Sequence, residues 1–173
     1  KIKKKIKRVK IMICDLCPRK CNANRTELDN VGGYCGMPLQ PMLARAALHF
    51  WEEPCISGKN GSGTVFFSGC SLSCKFCQNS EISAFKKGKT VSYERLAEIL
   101  KELENMGAEN INIVNPTHYI YAIIRAIDFY KPKIRIVYNS GGFDDVNYSL
   151  MMHPSSGGTK ANLVGRGGRA SGG

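Results

Sequence analysis

The clearest hydrophobic periodicity in the sequence begins after Ser92 and ends at Gly107. Serine is a preferred N-cap residue, and Glu94 places a negative charge in the first turn, where the helix dipole favours it. Glycine commonly lies just beyond the end of a helix. The pattern therefore predicts an amphipathic helix. Its apolar face carries residues three and four positions apart: Leu96, Ile99, Leu100, Leu103 and Met106.

Short runs of β-branched and aromatic residues predict buried strands at residues 64–67, 111–114 and 134–138. A second helix is predicted at residues 119–130, ahead of Pro132. Strands that alternate with helices through short connections form parallel sheets with right-handed crossovers. The sequence therefore predicts an α/β fold with about three parallel strands and their crossover helices.

The segments on either side of this core lack a clear hydrophobic period. Residues 11–62 are rich in Cys, Pro, Gly and Asn, which predicts a loop-dominated cysteine module with one short helix near residues 43–50. Residues 1–10 form a basic arm, and residues 148–173 form a glycine-rich tail. We expect the arm to be disordered and the tail to be disordered or out of frame. The predicted α/β core occupies residues 63–147.

Composition and charge exclude several functional classes. No stretch approaches the roughly 18–20 apolar residues of a membrane span, so an integral membrane protein is excluded. The N-terminus shows no secretory signal, which predicts a cytoplasmic protein. The formal net charge is +11, but residues 11–150 hold 15 basic and 14 acidic residues. The positive excess therefore lies at the two ends, and we do not expect nucleic acid to be a main partner.

Eight cysteines carry most of the chemical information, in two tight groups and one separate residue, Cys55. Disulfide frameworks belong mainly to small secreted domains, whereas closely spaced thiols in a cytosolic chain more often bind metal. We therefore expect metal or iron–sulfur binding rather than disulfides. For Cys55 we expect a buried structural thiol rather than a metal ligand.

The second cysteine group has the spacing Cys70-x3-Cys74-x2-Cys77 and follows the first predicted strand directly. Three thiolates on one short loop can bind three irons of a [4Fe–4S] cluster and leave the fourth iron open. A structural zinc site is normally closed by four protein ligands. The spacing therefore favours a cluster whose open iron can chelate a substrate.

This loop and its surroundings resemble the radical S-adenosylmethionine (SAM) superfamily, and more closely the branch similar to pyruvate formate-lyase activating enzyme. The resemblance covers roughly residues 12–147 and is carried by residues 49–58, 61–69, 70–79, 112–118 and 137–142. It implies that Cys70, Cys74 and Cys77 bind a [4Fe–4S] cluster whose open iron is chelated by SAM. One electron from the reduced cluster then cleaves SAM to methionine and a 5′-deoxyadenosyl radical that abstracts hydrogen.

The resemblance also implies SAM-binding roles for residues near the strand ends. Phe76 is expected to shield the cluster and to pack near the adenine. Asn115 and His118 occupy the place where relatives often carry a Gly-Gly-Glu element that contacts the SAM amine, although the match is positional and not literal. For His118, a turn histidine that caps the next helix is an equal alternative. Asn139 ends the third strand and faces the same mouth of the sheet, and its alternative role is turn formation.

The first cysteine group supplies four thiols, from Cys14, Cys17, Cys21 and Cys35. Four thiols suit tetrahedral zinc and an auxiliary iron–sulfur cluster equally well, and the spacing does not choose between them. Four reduced thiols without metal are the third alternative.

The resemblance places the α/β core in the N-terminal half of a radical SAM partial (β/α) barrel. A closed (β/α) barrel needs about 200–250 residues, so three strands cannot close one. We therefore expect the chain to be truncated at its C-terminus. A site left open to water on one side is expected to bind SAM weakly and to cleave it slowly.

The predicted function is a radical SAM oxidoreductase that takes electrons from a donor such as flavodoxin or ferredoxin. Activation of a glycyl radical enzyme, through a glycine on that partner protein, is the more specific interpretation that the resemblance implies. The alternative from another class is a non-catalytic metal-binding module, with zinc or an iron–sulfur cluster, that binds nucleic acid weakly through residues 1–10. Iron uptake with SAM cleavage separates the two.

Overall fold

The computed structural model of the protein describes residues 12–151. The predicted basic arm and the part of the predicted tail after residue 151 lie outside the described residues. In the described range, no helix combines the length and the apolar character needed to cross a membrane. Two sheets organise this part of the chain, a small antiparallel one and a five-stranded mixed one.

The small sheet lies in the cysteine module and has the strand order β1-β2-β3. Its strands are β1 (Met12–Cys14), β2 (Ala23–Arg25) and β3 (Asn30–Val31), and both pairs are antiparallel. In the loop between β1 and β2, Lys20 and Asn22 have positive φ angles of 42° and 51°. The backbone N–H of Asn22 donates to the Cys14 carbonyl at 3.1 Å, which closes this loop at its base. The module therefore contains regular structure that its composition did not predict.

The second sheet has the strand order β6-β4-β5-β7-β8. Its strands are β4 (Met42–His49), β5 (Ser62–Phe67), β6 (Lys89–Thr90), β7 (Asn110–Val114) and β8 (Arg135–Asn139). The pairs β5–β7 and β7–β8 are parallel, whereas β4 pairs antiparallel with both β5 and β6. All three predicted strands are present, and the fold is mixed α/β.

Between residues 12 and 151, five α-helices accompany these strands: α1 (Pro54–Ser57), α2 (Ser80–Ser83), α3 (Tyr93–Asn105), α4 (Ile120–Phe129) and α5 (Val146–Met151). The helix predicted after Ser92 is confirmed as α3, and its first turn is capped by the Ser92 hydroxyl, which accepts from the Arg95 N–H at 3.1 Å. The second predicted helix is α4, which follows a 3₁₀ turn at Thr117–Tyr119. No element was predicted where α5 lies.

The hydrophobic core lies between the parallel strands and helices α3 and α4. The strand positions that face these helices include Val65, Ile113 and Tyr138, which share one register row and are buried. Because side chains alternate across a strand, the neighbouring row of Thr64, Asn112 and Val137 lies on the opposite face. The sheet therefore has an apolar helix-covered face and a more polar opposite face.

Residues 43–50 do not form the short helix that the sequence predicted, because most of them belong to strand β4. This strand pairs with β5 and places Leu43 opposite Phe67 and His49 opposite Ser62. Its alanines, leucines and arginine have high helix propensity, but such preferences differ by at most about 0.7 kcal/mol per residue. Pairing satisfies the backbone groups along the buried edge of β5, and this requirement outweighs the propensity.

Within residues 12–151 the large sheet is open, with β6 at one edge and β8 at the other. The three parallel strands and helices α3 and α4 follow the order expected of a (β/α) architecture. The partial barrel itself stays a prediction.

Candidate functional site

The loop that carries Cys70, Cys74 and Cys77 begins at the carboxyl end of β5. Gly69 opens this loop with a φ of 78°, a conformation that glycine adopts readily, and a Cβ at this position would collide with a neighbouring side chain. Cys70 and Cys77 are half-buried and Cys74 is exposed. All three line one cavity of about 240 Å³, which we call the thiol cavity.

The thiol cavity takes its remaining walls from the ends of the neighbouring parallel strands. Val114 and Asn115 come from the end of β7, and Asn139 and Ser140 come from the end of β8. Ligands of open α/β sheets bind at the carboxyl ends of the strands, which is where this cavity lies. The structure therefore brings together the three predicted cluster cysteines and two of the predicted SAM-binding residues, Asn115 and Asn139.

Asn115 fixes the relative positions of the three strand ends. Its φ of 57° lies in the left-handed region, which asparagine tolerates better than most residues. Its side-chain N–H donates to the Gly69 carbonyl at 2.6 Å, and its side-chain oxygen lies 3.6 Å from the Cys70 sulfur. Its backbone N–H donates to the Asn139 carbonyl at 2.8 Å. One residue thus ties the cysteine loop to β7 and β8.

Two of the three thiols also contact polar groups of their own loop and of α2. The Leu72 N–H donates to the Cys70 sulfur at 3.3 Å, and the Ser83 hydroxyl lies 3.3 Å from the Cys77 sulfur. Hydrogen bonds to sulfur are among the features that set the reduction potential of an iron–sulfur cluster. Among the described residues, no histidine or carboxylate lines the thiol cavity.

His118 lies beneath the cysteine loop and does not line the thiol cavity. Its Nε2 is 2.8 Å from the Ser68 carbonyl, the ring is 2% exposed, and Nδ1 has no partner among the described groups. Burial lowers the pKa of His118 to about 4, so the ring is neutral at physiological pH. Among the described residues, no side chain caps α4, so the alternative role of His118 as a cap of this helix is wrong. A contact between His118 and SAM stays a prediction.

Phe76 is 98% exposed and is not among the residues that line the thiol cavity. Its ring lies in the same short loop as Cys74 and Cys77, so it is adjacent to the thiols in sequence. Its predicted role, shielding the cluster and packing near adenine, stays a prediction.

Asp144 is a residue at the site that the sequence analysis missed. Its carboxylate accepts hydrogen bonds from the hydroxyls of Thr117 at 2.6 Å, Tyr138 at 2.8 Å and Ser140. Burial and the nearby Asp144 carboxylate raise the pKa of Tyr138, so that its hydroxyl remains a donor. Asp144 therefore holds the loop after β8, which forms one wall of the thiol cavity. No motif marked it, because its three partners meet only in the folded chain.

Replacing Asp144 with alanine is expected to lower the free energy of unfolding by about 2–4 kcal/mol, because hydrogen bonds to a charged acceptor contribute roughly 1.5–3 kcal/mol each and this group is only half-buried. Chemical denaturation measures the change. The matched control is Asp128→Ala on the exposed side of α4, where a change within about 0.5 kcal/mol is expected. Equal effects of the two substitutions would contradict the structural role of Asp144.

The four cysteines of the first group lie in one region around the small sheet. Cys14 and Cys17 are buried, Cys35 is half-buried and Cys21 is exposed. Burial raises the pKa of the Cys17 thiol, and the nearby thiols of Cys14, Cys21 and Cys35 raise it as well. The fold therefore brings together four residues that the sequence separates by up to 21 positions.

Cys55 is exposed, which corrects the expectation of a buried structural thiol. It lies on α1, which is only four residues long. It also lines a cavity of about 470 Å³ together with Asn110 and Arg135, which begin β7 and β8. That cavity is larger than the thiol cavity, but it lies at the opposite end of the parallel strands from the cluster cysteines.

Residues 64–151 match the model of the radical SAM superfamily, which is just over half of the 173-residue chain. The chain therefore belongs to the radical SAM superfamily. It is also similar to an uncharacterized protein of Methanocaldococcus jannaschii, with 29% identity over 136 residues that cover 73% of this chain and 38% of the relative. The chain thus corresponds to less than half of the length of that relative. No solved structure matches it.

The donor set of the thiol cavity fits the cofactor that this superfamily typically binds. A [4Fe–4S] cluster takes one thiolate on each of three irons, so the three sulfurs do not have to converge on a single point. Among residues 12–151, no three side chains of the His, Cys, Asp or Glu type are close enough to share one metal ion. The thiol cavity therefore has the right number and type of ligands for a cluster with one open iron.

Proposed function

We propose that this chain forms the cluster and SAM site of a radical SAM oxidoreductase, with Cys70, Cys74 and Cys77 as the cluster ligands. The observation that carries the proposal is the meeting of all three thiols in one cavity at the carboxyl ends of the parallel strands. These three thiols would hold a [4Fe–4S] cluster, which would supply one electron for the cleavage of SAM to methionine and a hydrogen-abstracting adenosyl radical.

The residues around the thiols have the chemistry needed to bind the two parts of SAM. Asn139 would offer its side-chain amide to the charged methionine end of the molecule, whereas the Ser140 hydroxyl already donates to the Asp144 carboxylate. The side-chain amide of Asn115 is already engaged with the Gly69 carbonyl, so its main role is to position the loop. Leu72, Ile82 and Val114 provide apolar walls that exclude water from the site.

The polar face of the sheet is an argument for a barrel interior that begins at the thiol cavity. Asn112 lies on that face, is fully buried, and has no hydrogen-bond partner for its side-chain oxygen or nitrogen among the described residues. Thr64 lies beside it in the same row. In the proposed partial (β/α) barrel, further strands pair with β8, and this row then faces the space where a substrate is held.

An electron donor and a target protein are implied only by the resemblance to glycyl-radical-enzyme activating proteins. Such an enzyme takes electrons from flavodoxin or ferredoxin and abstracts hydrogen from a glycine on its partner. The relative from Methanocaldococcus jannaschii is itself uncharacterized, so it adds no target. The radical SAM chemistry is the part of the proposal that the thiol cavity supports.

Anaerobic reconstitution of the purified chain with iron and sulfide tests the proposal. We expect about four irons bound through Cys70, Cys74 and Cys77, and slow formation of 5′-deoxyadenosine and methionine after reduction in the presence of SAM. The thiol cavity is smaller than the roughly 300–1,000 Å³ of typical small-molecule sites, so weak SAM binding is expected. A chain that binds no iron but binds nucleic acid in a salt-dependent manner would support the non-catalytic alternative.

A further inference from the structure

Arg25 is a fully buried cation in the small sheet, with 1% of its surface exposed. Its Nη1 donates to the His118 carbonyl at 2.9 Å and lies 3.4 Å from the Cys14 sulfur. Its Nη2 donates to the Pro38 carbonyl at 2.6 Å, and its Nε has no partner among the described residues. Among residues 12–151, no carboxylate forms an ion pair with Arg25.

A buried guanidinium without a counter-ion is energetically costly, because arginine remains charged at all physiological pH values and loses its hydration on burial. Among the side chains of the described residues, only the Cys14 sulfur accepts a hydrogen bond from Arg25. A thiolate at this position supplies the missing negative charge, and metal binding is what keeps buried thiolates deprotonated. The burial of Arg25 therefore indicates a negatively charged thiolate centre beside it in the metal-bound protein.

The loop that carries Cys17 and Cys21 folds back on Cys14. The Lys20 N–H donates to the Cys17 carbonyl at 3.0 Å, and the Asn22 N–H donates to the Cys14 carbonyl at 3.1 Å. The Asn30 side-chain amide also lies 3.9 Å from the Cys35 sulfur. Among residues 12–151, no three of these thiols are close enough to share one metal ion, so metal binding requires the loops that carry them to move together.

We infer that Cys14, Cys17, Cys21 and Cys35 bind one thiolate-coordinated metal centre, with Arg25 as its buried counter-cation. Both a zinc ion and an iron–sulfur cluster take four thiolates and gain from a neighbouring positive charge. The inference is independent of the proposed function, because none of these four cysteines lines the thiol cavity.

This metal centre has a structural connection to the thiol cavity through Arg19, which lies between Cys17 and Cys21 in the sequence. The Arg19 guanidinium stacks on the Tyr34 ring, 3.5 Å from its centroid. It also donates to the carbonyls of Ser71 and Leu72 in the cluster loop, the second at 3.4 Å. A metal that orders the Cys17–Cys21 loop therefore also holds Arg19 against the loop that carries Cys70, Cys74 and Cys77.

Metal analysis in a variant that lacks the other thiol group tests the inference. In the full chain with Cys70, Cys74 and Cys77 all replaced by alanine, we expect about one zinc after loading with zinc alone, or about four irons after anaerobic loading with iron and sulfide. The additional change Cys17→Ser should remove the zinc or lower the iron content, because only three thiols remain, whereas Cys55→Ser, the matched control, should retain the metal in full. No metal in the triple variant, or full retention after Cys17→Ser, overturns the inference.

If the Cys17→Ser variant fails to fold, X-ray absorption on the metal-loaded triple variant still tests the inference, because it counts the sulfur neighbours of the metal. Four sulfur neighbours around the metal are expected, at about 2.3 Å in the case of zinc. Fewer than four sulfur neighbours, as for an adventitious ion, overturns the inference.

A separate test concerns Arg25. Arg25→Met should lower the affinity for the metal about 10–100-fold in competition with a chelator, and Arg25→Lys should lower it less. Unchanged affinity in Arg25→Met contradicts the counter-cation role.

Discussion

Replacing any one of Cys70, Cys74 and Cys77 with alanine is expected to remove the oxygen-sensitive iron–sulfur absorbance of the thiol cavity and to abolish SAM cleavage. In the proposed site each thiolate would be the only protein ligand of one iron, and no other histidine, cysteine or carboxylate among the described residues lines the cavity to replace it. The measurements are iron content, visible absorbance after anaerobic reconstitution, and 5′-deoxyadenosine formation. Loss of activity to the assay limit is the expected size of the effect.

Cys55→Ser is the matched control for these substitutions. Cys55 is exposed and lies at the opposite end of the parallel strands, so its loss should leave iron content and SAM cleavage unchanged. Iron bound at the first cysteine group can obscure the result, so the measurement is best made on samples loaded with zinc before reconstitution. Retention of a complete cluster and of activity in any one of the three alanine variants would refute the ligand assignment.

Acidification from pH 7 to pH 4 is expected to destabilise the protein through His118 by about 3 kcal/mol, since each unit of pKa shift corresponds to about 1.4 kcal/mol. The pKa of this ring is about 4 in the fold, against 6.5 for an unperturbed histidine. Between these values the unfolded chain binds a proton that the folded chain does not bind. Stability therefore falls as the pH drops through this window and is fully regained above about pH 6.5.

The variant His118→Gln isolates this contribution. Glutamine can still donate to the Ser68 carbonyl but does not titrate, so the pH dependence that remains comes from other groups common to both proteins. The free energy of unfolding, measured in urea at several pH values, should fall more steeply below pH 6.5 in the wild type than in the variant. Parallel curves would show that His118 is not buried as a neutral ring.

Several parts of the fold could be predicted from local sequence patterns. Helix α3 was predicted because its cap and its apolar positions lie within 16 consecutive residues. The parallel strands were predicted because each is a short apolar run between turn residues. By contrast, β4 was missed because its partner strand decides its conformation against its own helix propensity.

The same distinction applies to the candidate site. The spacing of Cys70, Cys74 and Cys77 predicted a cluster site directly, because all three thiols lie on one loop whose length limits their separation. Asp144 and Arg25 could not be predicted in this way. Asp144 has partners on β8, on the loop after it and in the turn before α4. Arg25 is separated by 93 positions from the carbonyl of His118, to which it donates.

The sequence by itself thus determined the superfamily to which the chain is similar, the order of the core strands and helices, and the residues available as metal ligands. Only the tertiary structure decided which polar groups meet around those ligands. It placed Asn115 and Asn139 in the thiol cavity, buried His118 beneath the loop, and left Phe76 exposed. The physical reason is that a short loop constrains its own residues, whereas contacts between distant segments depend on the packing of the whole chain.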